Sequence, residues 1–308
     1  MVINMLEKTV LGIAARMIDI GGCRAEQIQW EEGGGAYRVW RIRGDGRSYI
    51  LKNSSERELE VYRAISGKSP HVPLILGETL WRRKPWILME DIQGKNLSHP
   101  TRRELTAAID AVIELQRPLW GSAAALGESV EESLPLRRLR RRYLPGIGLR
   151  LAFDRAMREY VSVPVTLGHD DLLPQNVIVC DGRAVLIDWE YGGMLPYPVM
   201  LARLIAHGFE NDVTPFHLST EDKSFALDRY YDGLAHGKGI TREEYDYTMD
   251  CFIFYEMTEW VYVYRKCLKR PDRLYEHYLA EARAMSKRIL KAKPPFAGEK
   301  HKRYSGRK

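Results

Sequence analysis

The chain has 308 residues, 45% of them hydrophobic and 29% charged, with a formal net charge of +6. This is the composition of an ordinary soluble protein with ample chain for a core, in one large two-lobed unit or two domains. It excludes a disulfide scaffold and a membrane-spanning protein: Cys23, Cys180, Cys251 and Cys267 are scattered, and no apolar run approaches spanning length. The charge is a local property. Ten Lys and Arg against one acid lie between Arg283 and Lys308, and the remainder carries 37 basic and 40 acidic residues. A run of this kind reads as a solvated end, with weak anion binding open and no specific nucleic-acid partner expected. The early acid Glu7 and the lack of an apolar leader core point to the cytoplasm, with reduced thiols.

Along residues 5–18, Leu6, Val10, Ile13, Ala14 and Met17 share one helical face. Gly33, Gly34 and Gly35 then lead into a strand at 38–42, a turn at Gly44 to Gly46, and a strand at 48–52 that ends in Lys52. Glycines there would let backbone N–H groups approach phosphates, although the triplet lacks the GxGxxG pattern and could be only a turn. An ammonium closing an apolar strand can reach phosphate oxygens if an acid holds it in place. Residues 54–65 read as a helix in which Ser55 and Glu58 also spell a capping box. A further strand pair, 74–80 and 85–89, turns at Arg82 to Lys84, and a polar turn follows Glu90 to Gly94.

The remainder is mainly helical. Leu105, Ala108, Ile109, Val112 and Gln116 mark the inner face of a helix over 101–116. The arginine-rich segment 136–143 reads as a solvated helix face, with binding of an anionic substrate as the alternative. Helices are predicted over 199–209, 220–236, 241–267 and 273–291, and Pro294-Pro295 opens a loose tail.

Between them lies the most informative stretch. His169-Asp-Asp-Leu-Leu-Pro-Gln-Asn176 precedes two short strands around an Asp181-Gly182 turn, and the second strand ends at Ile187-Asp188-Trp189-Glu190. A hairpin brings its ends together, which sets Asn176 beside Asp188 with Asp171 at the entrance. Two oxygen ligands near one carboxylate suit Mg²⁺ carrying nucleotide phosphates, the carboxylate facing an incoming hydroxyl. The His-x-Asp and Asp-x4-Asn spacings select Asp171 over Asp170. His169 is expected to brace the loop. No Arg precedes Asp171, the second acidic element is DWE, and barely ten residues separate Asp188 from the next helix. These features argue for an unregulated small-molecule kinase rather than a protein kinase.

The block HDDLLPQN…IDWE resembles the HGDLHPGN…IDWE pattern of the aminoglycoside phosphotransferase and choline kinase-like family, which includes spore-coat kinase-like proteins. The resemblance extends more weakly over most of the chain. It departs at Asp170 for Gly, at Leu173 for His, and at residues 198–202, which lack the Asp that commonly precedes Leu-Ala; the last bears on how the metal loop is braced. The resemblance implies an α+β, two-lobed, protein-kinase-like fold: a small antiparallel-sheet N-lobe with one paired helix over 1–92, a larger mainly helical C-lobe over 93–293, and a basic tail over 294–308. It implies an ATP-dependent phosphotransferase with Asp171 as base and Mg²⁺, as two ions, held by Asn176 and Asp188. Lys52 would bond the α- and β-phosphates, paired with Glu58, or alternatively with Glu60. Adenine would meet the carbonyl of Glu90 and the N–H of Ile92, with Met89 behind it. The acceptor would be a hydroxylated, often cationic small molecule such as an aminoglycoside, amino sugar or choline-like alcohol. Asp246, Asp250, Glu256, Glu259 and Trp260 on the late helices are candidates to receive it, against the plainer reading of core aromatics and a solvated acidic face. A non-catalytic kinase-like binding or coat protein, and a protein kinase, are the rival readings.

Overall fold

The computed structural model describes residues 5–29, 35–44, 46–268 and 271–294. Helix α1 (Met5–Ala14) precedes strands β1 (Arg24–Gln29), β2 (Ala36–Gly44) and β3 (Arg47–Asn53). Helix α2 (Glu56–Ile65) and strands β4 (Ile75–Trp81) and β5 (Lys84–Glu90) follow. The five strands form one antiparallel sheet in the order β1-β2-β3-β5-β4. Alternation divides its side chains between two cores. Trp40, Ile42, Leu51, Trp86 and Leu88 face outward onto Val10, Ile13 and Ala14 of α1. The other face aligns Val39 with Lys52, Ile50 with Met89 and Lys52 with Ile87, and its Ile87 and Met89 join Leu59 and Tyr62 of α2 in the main core. Arg82 and Arg83 both take positive φ, 51° and 63°, as a tight two-residue hairpin between twisted strands requires.

Beyond β5 the chain forms β6 (Lys95–Asn96), α3 (Arg102–Gln116), β7 (Glu128–Ser129), α4 (Val130–Leu139) and α5 (Ile147–Ser162). Strands β8 (Val165–His169), β9 (Val177–Cys180), β10 (Arg183–Leu186) and β11 (Gly192–Pro196) come next. Helices α6 (Val199–Ala206), α7 (Thr220–Tyr230), α8 (Arg242–Val263) and α9 (Arg273–Lys291) complete the described chain. The expected hairpin forms between β9 and β10, with Asp181 at φ 51° and Gly182 at φ 76°. Two pairings are additional to the sequence reading: β6 adds to the edge of β9, and β11 runs antiparallel to β8. The architecture is thus α+β, an antiparallel-sheet N-lobe on a mainly helical C-lobe. No helix among the described residues is long and apolar enough to cross a membrane. Gly33, Gly34 and residues 295–308 of the basic tail lie outside the described residues, whereas Arg283, Lys287, Arg288 and Lys291 belong to α9.

Candidate active site

The end of β3 delivers Lys52 to the sheet face above the C-lobe. Its Nζ lies 2.5 Å from Oε1 of Glu58 and 2.5 Å from Oδ1 of Asp188. Burial draws the ammonium down, but the Asp188 and Glu58 charges outweigh it and hold Lys52 above the ordinary lysine range. Asp188 is shifted the other way: burial pushes it up, and Lys52 brings it below the usual carboxylate range. The capping and pairing roles of this helix start do not compete. Ser55 Oγ accepts the Glu58 N–H at 3.1 Å, whereas the Glu58 carboxylate takes Lys52 and the Ser54 hydroxyl at 2.8 Å. Glu60 is exposed. One turn beyond Glu58, the buried Tyr62 hydroxyl faces the same three charges, and burial raises its pKa.

The loop after β8 is fixed from several sides. His169 is fully buried, and burial lowers its pKa, so the ring is neutral. Its Nε2 donates to the Ile187 carbonyl at 2.9 Å and its Nδ1 accepts the Asp171 N–H at 3.3 Å. Asn176 Nδ2 donates to the Asp171 carbonyl at 2.7 Å, leaving its Oδ1 as the available ligand atom. The Asn176 carbonyl accepts the Ile187 N–H at 3.0 Å, which ties the two ends of the hairpin together. Asp188 adopts the left-handed conformation, φ 65° and ψ 61°. Trp189, fully buried, packs its ring 4.7 Å from that of His169 and donates its indole N–H to the Leu186 carbonyl at 3.0 Å. These contacts brace the loop in the absence of the Asp missing from 198–202.

A second layer of charge lies behind Asp171. Arg203 of α6 donates to Asp171 Oδ1 at 2.8 Å and to Glu256 at 2.7 Å, and also bonds Glu259. Arg140 meets Glu259 at 3.1 Å, and Arg137 meets Asp170 at 2.5 Å and the Tyr255 hydroxyl at 3.0 Å. The solvated-face reading of 136–143 therefore fails for Arg137 and Arg140. Arg137 is 4% exposed and lies 4.9 Å from the Tyr160 ring centre, while Arg140 lies 4.7 Å from that of Tyr255. Apolar neighbours accept these arginines because carboxylates and aromatic faces compensate them. Asp170, the residue in place of glycine, supplies one of those carboxylates.

The acids of α8 do not act together. Asp246 pairs with Arg242 at 2.7 Å, and Asp250 with Arg288 of α9 at 2.9 Å. Ten helical residues separate Asp246 from Glu256, about 15 Å of rise, which places the first two acids well along the helix from Asp171. Trp260 stacks on Tyr278, ring centres 5.5 Å apart. Arg203 escapes the sequence reading, and Arg137 enters it only as part of the 136–143 segment. For Arg203 the available signal is one cation inside the apolar run of α6, a pattern that demands a buried carboxylate without saying which.

Beside this charge cluster, Gly127 and Gly193 allow β7 to lie against β11. A Cβ at Gly193 would stand 2.1 Å from the Glu128 nitrogen, and Gly127 has φ +58°. This contact holds Glu128 beside Asp170 and Arg137. Burial raises the Glu128 pKa, and its Oε2 has no hydrogen-bond partner among the described residues.

The lobe architecture, the Lys52 ion pairs and the braced Asp171–Asn176–Asp188 loop define a protein-kinase-like phosphotransferase fold. The sequence model described as "Phosphotransferase enzyme family" matches residues 31–246, and the chain belongs to that family. No curated protein matches the sequence. Among solved structures, choline kinase from Cryptosporidium parvum Iowa II aligns with a TM-score of 0.61 at 13% identity, over 92% of this chain and 96% of that one. A thermostable mutant of aminoglycoside phosphotransferase APH(4)-Ia, in a ternary complex with ADP and hygromycin B, aligns with 0.56 at 14% identity, over 96% and 100%. The amicoumacin kinase hAmiN, in complex with AMP-PNP and Ca²⁺, aligns with 0.55 at 15% identity, over 96% of each. At these identities the likeness is one of fold.

Proposed function

We propose that the protein transfers the γ-phosphate of Mg·ATP to a hydroxyl of a small molecule. The observation that carries this reading is one ammonium, Lys52, shared by Glu58 of α2 and Asp188 of the loop, with Asp171 and Asn176 fixed on the adjoining turn. Nucleotide complexes among structures of the same fold support the choice of donor.

The donor set fits magnesium. Asp188 offers a carboxylate and Asn176 an amide oxygen, and Mg²⁺ is usually held by one or two protein oxygens, phosphates and water rather than by a full protein cage. When bound, the ion supplies charge neutralisation along the phosphates. Lys52, steadied by Glu58, binds the α- and β-phosphates in this reading. The carbonyl of Glu90 and the N–H of Ile92 take the base beside Met89, and Gly35 approaches the phosphates. Asp171 accepts the proton of the acceptor hydroxyl and holds its oxygen in line with the phosphorus. His169 cannot readily compete for this proton, since both ring nitrogens are engaged within the loop.

Glu256 and Glu259 are already matched by Arg203 and Arg140, so they do not offer free charge to an amine. The acceptor is therefore left to Asp171, Glu128 and the half-exposed Tyr191, whose pKa is raised by burial and by Glu190, Asp171, Asp188 and Glu128. ATP consumption with aminoglycosides, amino sugars, choline analogues, and neutral and anionic sugars tests the proposal. Magnesium-dependent turnover of at least one such compound is expected. Turnover confined to a protein substrate would favour a protein kinase, and nucleotide binding without turnover a binding module.

A further inference from the structure

The main chain and the carboxylate of Asp171 are held by different groups. His169 takes the N–H, while the Asn176 side chain and the Leu173 N–H, the latter at 2.7 Å, take the carbonyl. None of these contacts fixes the rotation of the carboxylate. That falls to Arg203, whose Nη2 meets Oδ1 at 2.8 Å, and no hydrogen bond to Oδ2 occurs among the described residues. Arg203 is itself 11% exposed in its side chain, with Nη1 divided between Glu256 and Glu259 of α8. A guanidinium is a planar fork, so fixing one nitrogen on α8 fixes the direction of the other.

We propose that Arg203 is the positioning residue of the acceptor base: anchored on Glu256 and Glu259, it pins Oδ1 of Asp171 and so presents Oδ2 to the acceptor hydroxyl. This rests on the reading of Asp171 as the base. It assigns Glu256 and Glu259 of α8 a part in the site through Arg203 rather than through contact with the acceptor. The competing account is purely architectural, in which Arg203 only neutralises Glu256 and Glu259 and joins α6 to α8.

The two accounts separate through the coupling between Arg203 and Asp171. Lysine preserves the charge but not the fork, so Arg203→Lys removes the orientation while keeping Glu256 and Glu259 compensated. The double variant Arg203→Met, Glu256→Gln removes one buried charge of each sign and leaves Glu259 paired with Arg140. The readout is single-turnover phosphate release from γ-labelled Mg·ATP, with water as the probe acceptor, in wild type, both variants, Asp171→Asn and Asp171→Asn with Arg203→Lys. Both Arg203 variants should be slower by about 10-fold or more. They should retain the wild-type rise in melting temperature with Mg·ATP, and Arg203→Lys should have no further effect once Asp171 is Asn. A rate within twofold of wild type in Arg203→Lys, with Asp171→Asn slow, overturns the proposal alone. Equal slowing in both backgrounds, or failure of both Arg203 variants to fold, assigns Arg203 to architecture and also overturns it. Undiminished release by Asp171→Asn removes the base reading. A wild type inactive with water and with the whole acceptor panel removes the phosphotransferase reading.

Discussion

Asp188 and Asn176 make unequal claims on a cation, because one is a carboxylate and the other an amide. Asp188→Ala should abolish the magnesium-dependent rise in melting temperature with ATP, whereas Asn176→Ala should only reduce it; a ligand that binds the native state alone raises the transition. An unchanged rise in Asp188→Ala would remove Asp188 from the metal site. At this scale the sequence is informative where partners are close along the chain. The Asp171-to-Asn176 spacing and the short hairpin to Asp188 place three groups within eighteen residues. Arg203 is hidden for the opposite reason, since its partner Asp171 lies 32 positions away and Glu256 lies 53 away. Only tertiary packing of α6 against α8 brings them together.

The elements behind the site carry a titration that the phosphate chemistry does not use. Glu159 of α5 is 4% exposed and accepts the Thr248 hydroxyl of α8 at 2.5 Å. Burial raises its pKa from 4.5 to about 7, with Glu244 adding to the shift and Thr248 opposing it. A carboxyl whose folded pKa lies above its unfolded value favours the native state fully below pH 4.5, and that contribution is lost as pH rises through about 7. Glu159→Gln should therefore match wild type near pH 4.5 and exceed it by on the order of 3 kcal/mol at pH 8 in urea unfolding. A difference that does not change with pH would contradict the burial argument. Element boundaries show what period and capping can and cannot reveal. The inner face of α3 is local and is present, and the structure adds a Thr101–Glu104 capping box at its start. The two residues of β6 have no period to read, and β11 begins with glycines whose role, letting β7 approach, depends on a segment more than sixty residues earlier. Arg137 and Arg140 show the same limit: a run of arginines does not declare which of them turn inward.

Across the whole molecule, the main core joins α2 and β5 to the helical lobe, so Lys52 and Asp188 sit where the two lobes meet. The connection after β5 is fastened to the sheet as well. Asp91, 2% exposed in its side chain, accepts Arg41 through both oxygens at 2.7 and 3.2 Å and Ser48 at 2.5 Å. Asp91→Ala should leave Arg41 unpaired and cost about 1–3 kcal/mol of stability, with weaker Mg·ATP binding because Glu90 and Ile92 flank the change. Calorimetric titration and urea unfolding check both parts, and a variant with wild-type affinity would separate this connection from the nucleotide site. The two-lobed architecture was legible from one motif because the DD-to-DWE block belongs to a single fold pattern, while the acceptor was not. Four of the acids of α8 suggest a cationic pocket in sequence, yet those four, Asp246, Asp250, Glu256 and Glu259, are all matched by arginines in the fold.

Transfer of label from γ-³²P ATP to the acceptor panel, by wild type and Asp171→Asn side by side, tests the central claim most directly. Wild type should label an acceptor hydroxyl only with magnesium present, and Asp171→Asn should do so at least ~100-fold more slowly while still binding Mg·ATP. Labelling of no small molecule by the wild type, or equal labelling by both proteins, would contradict it.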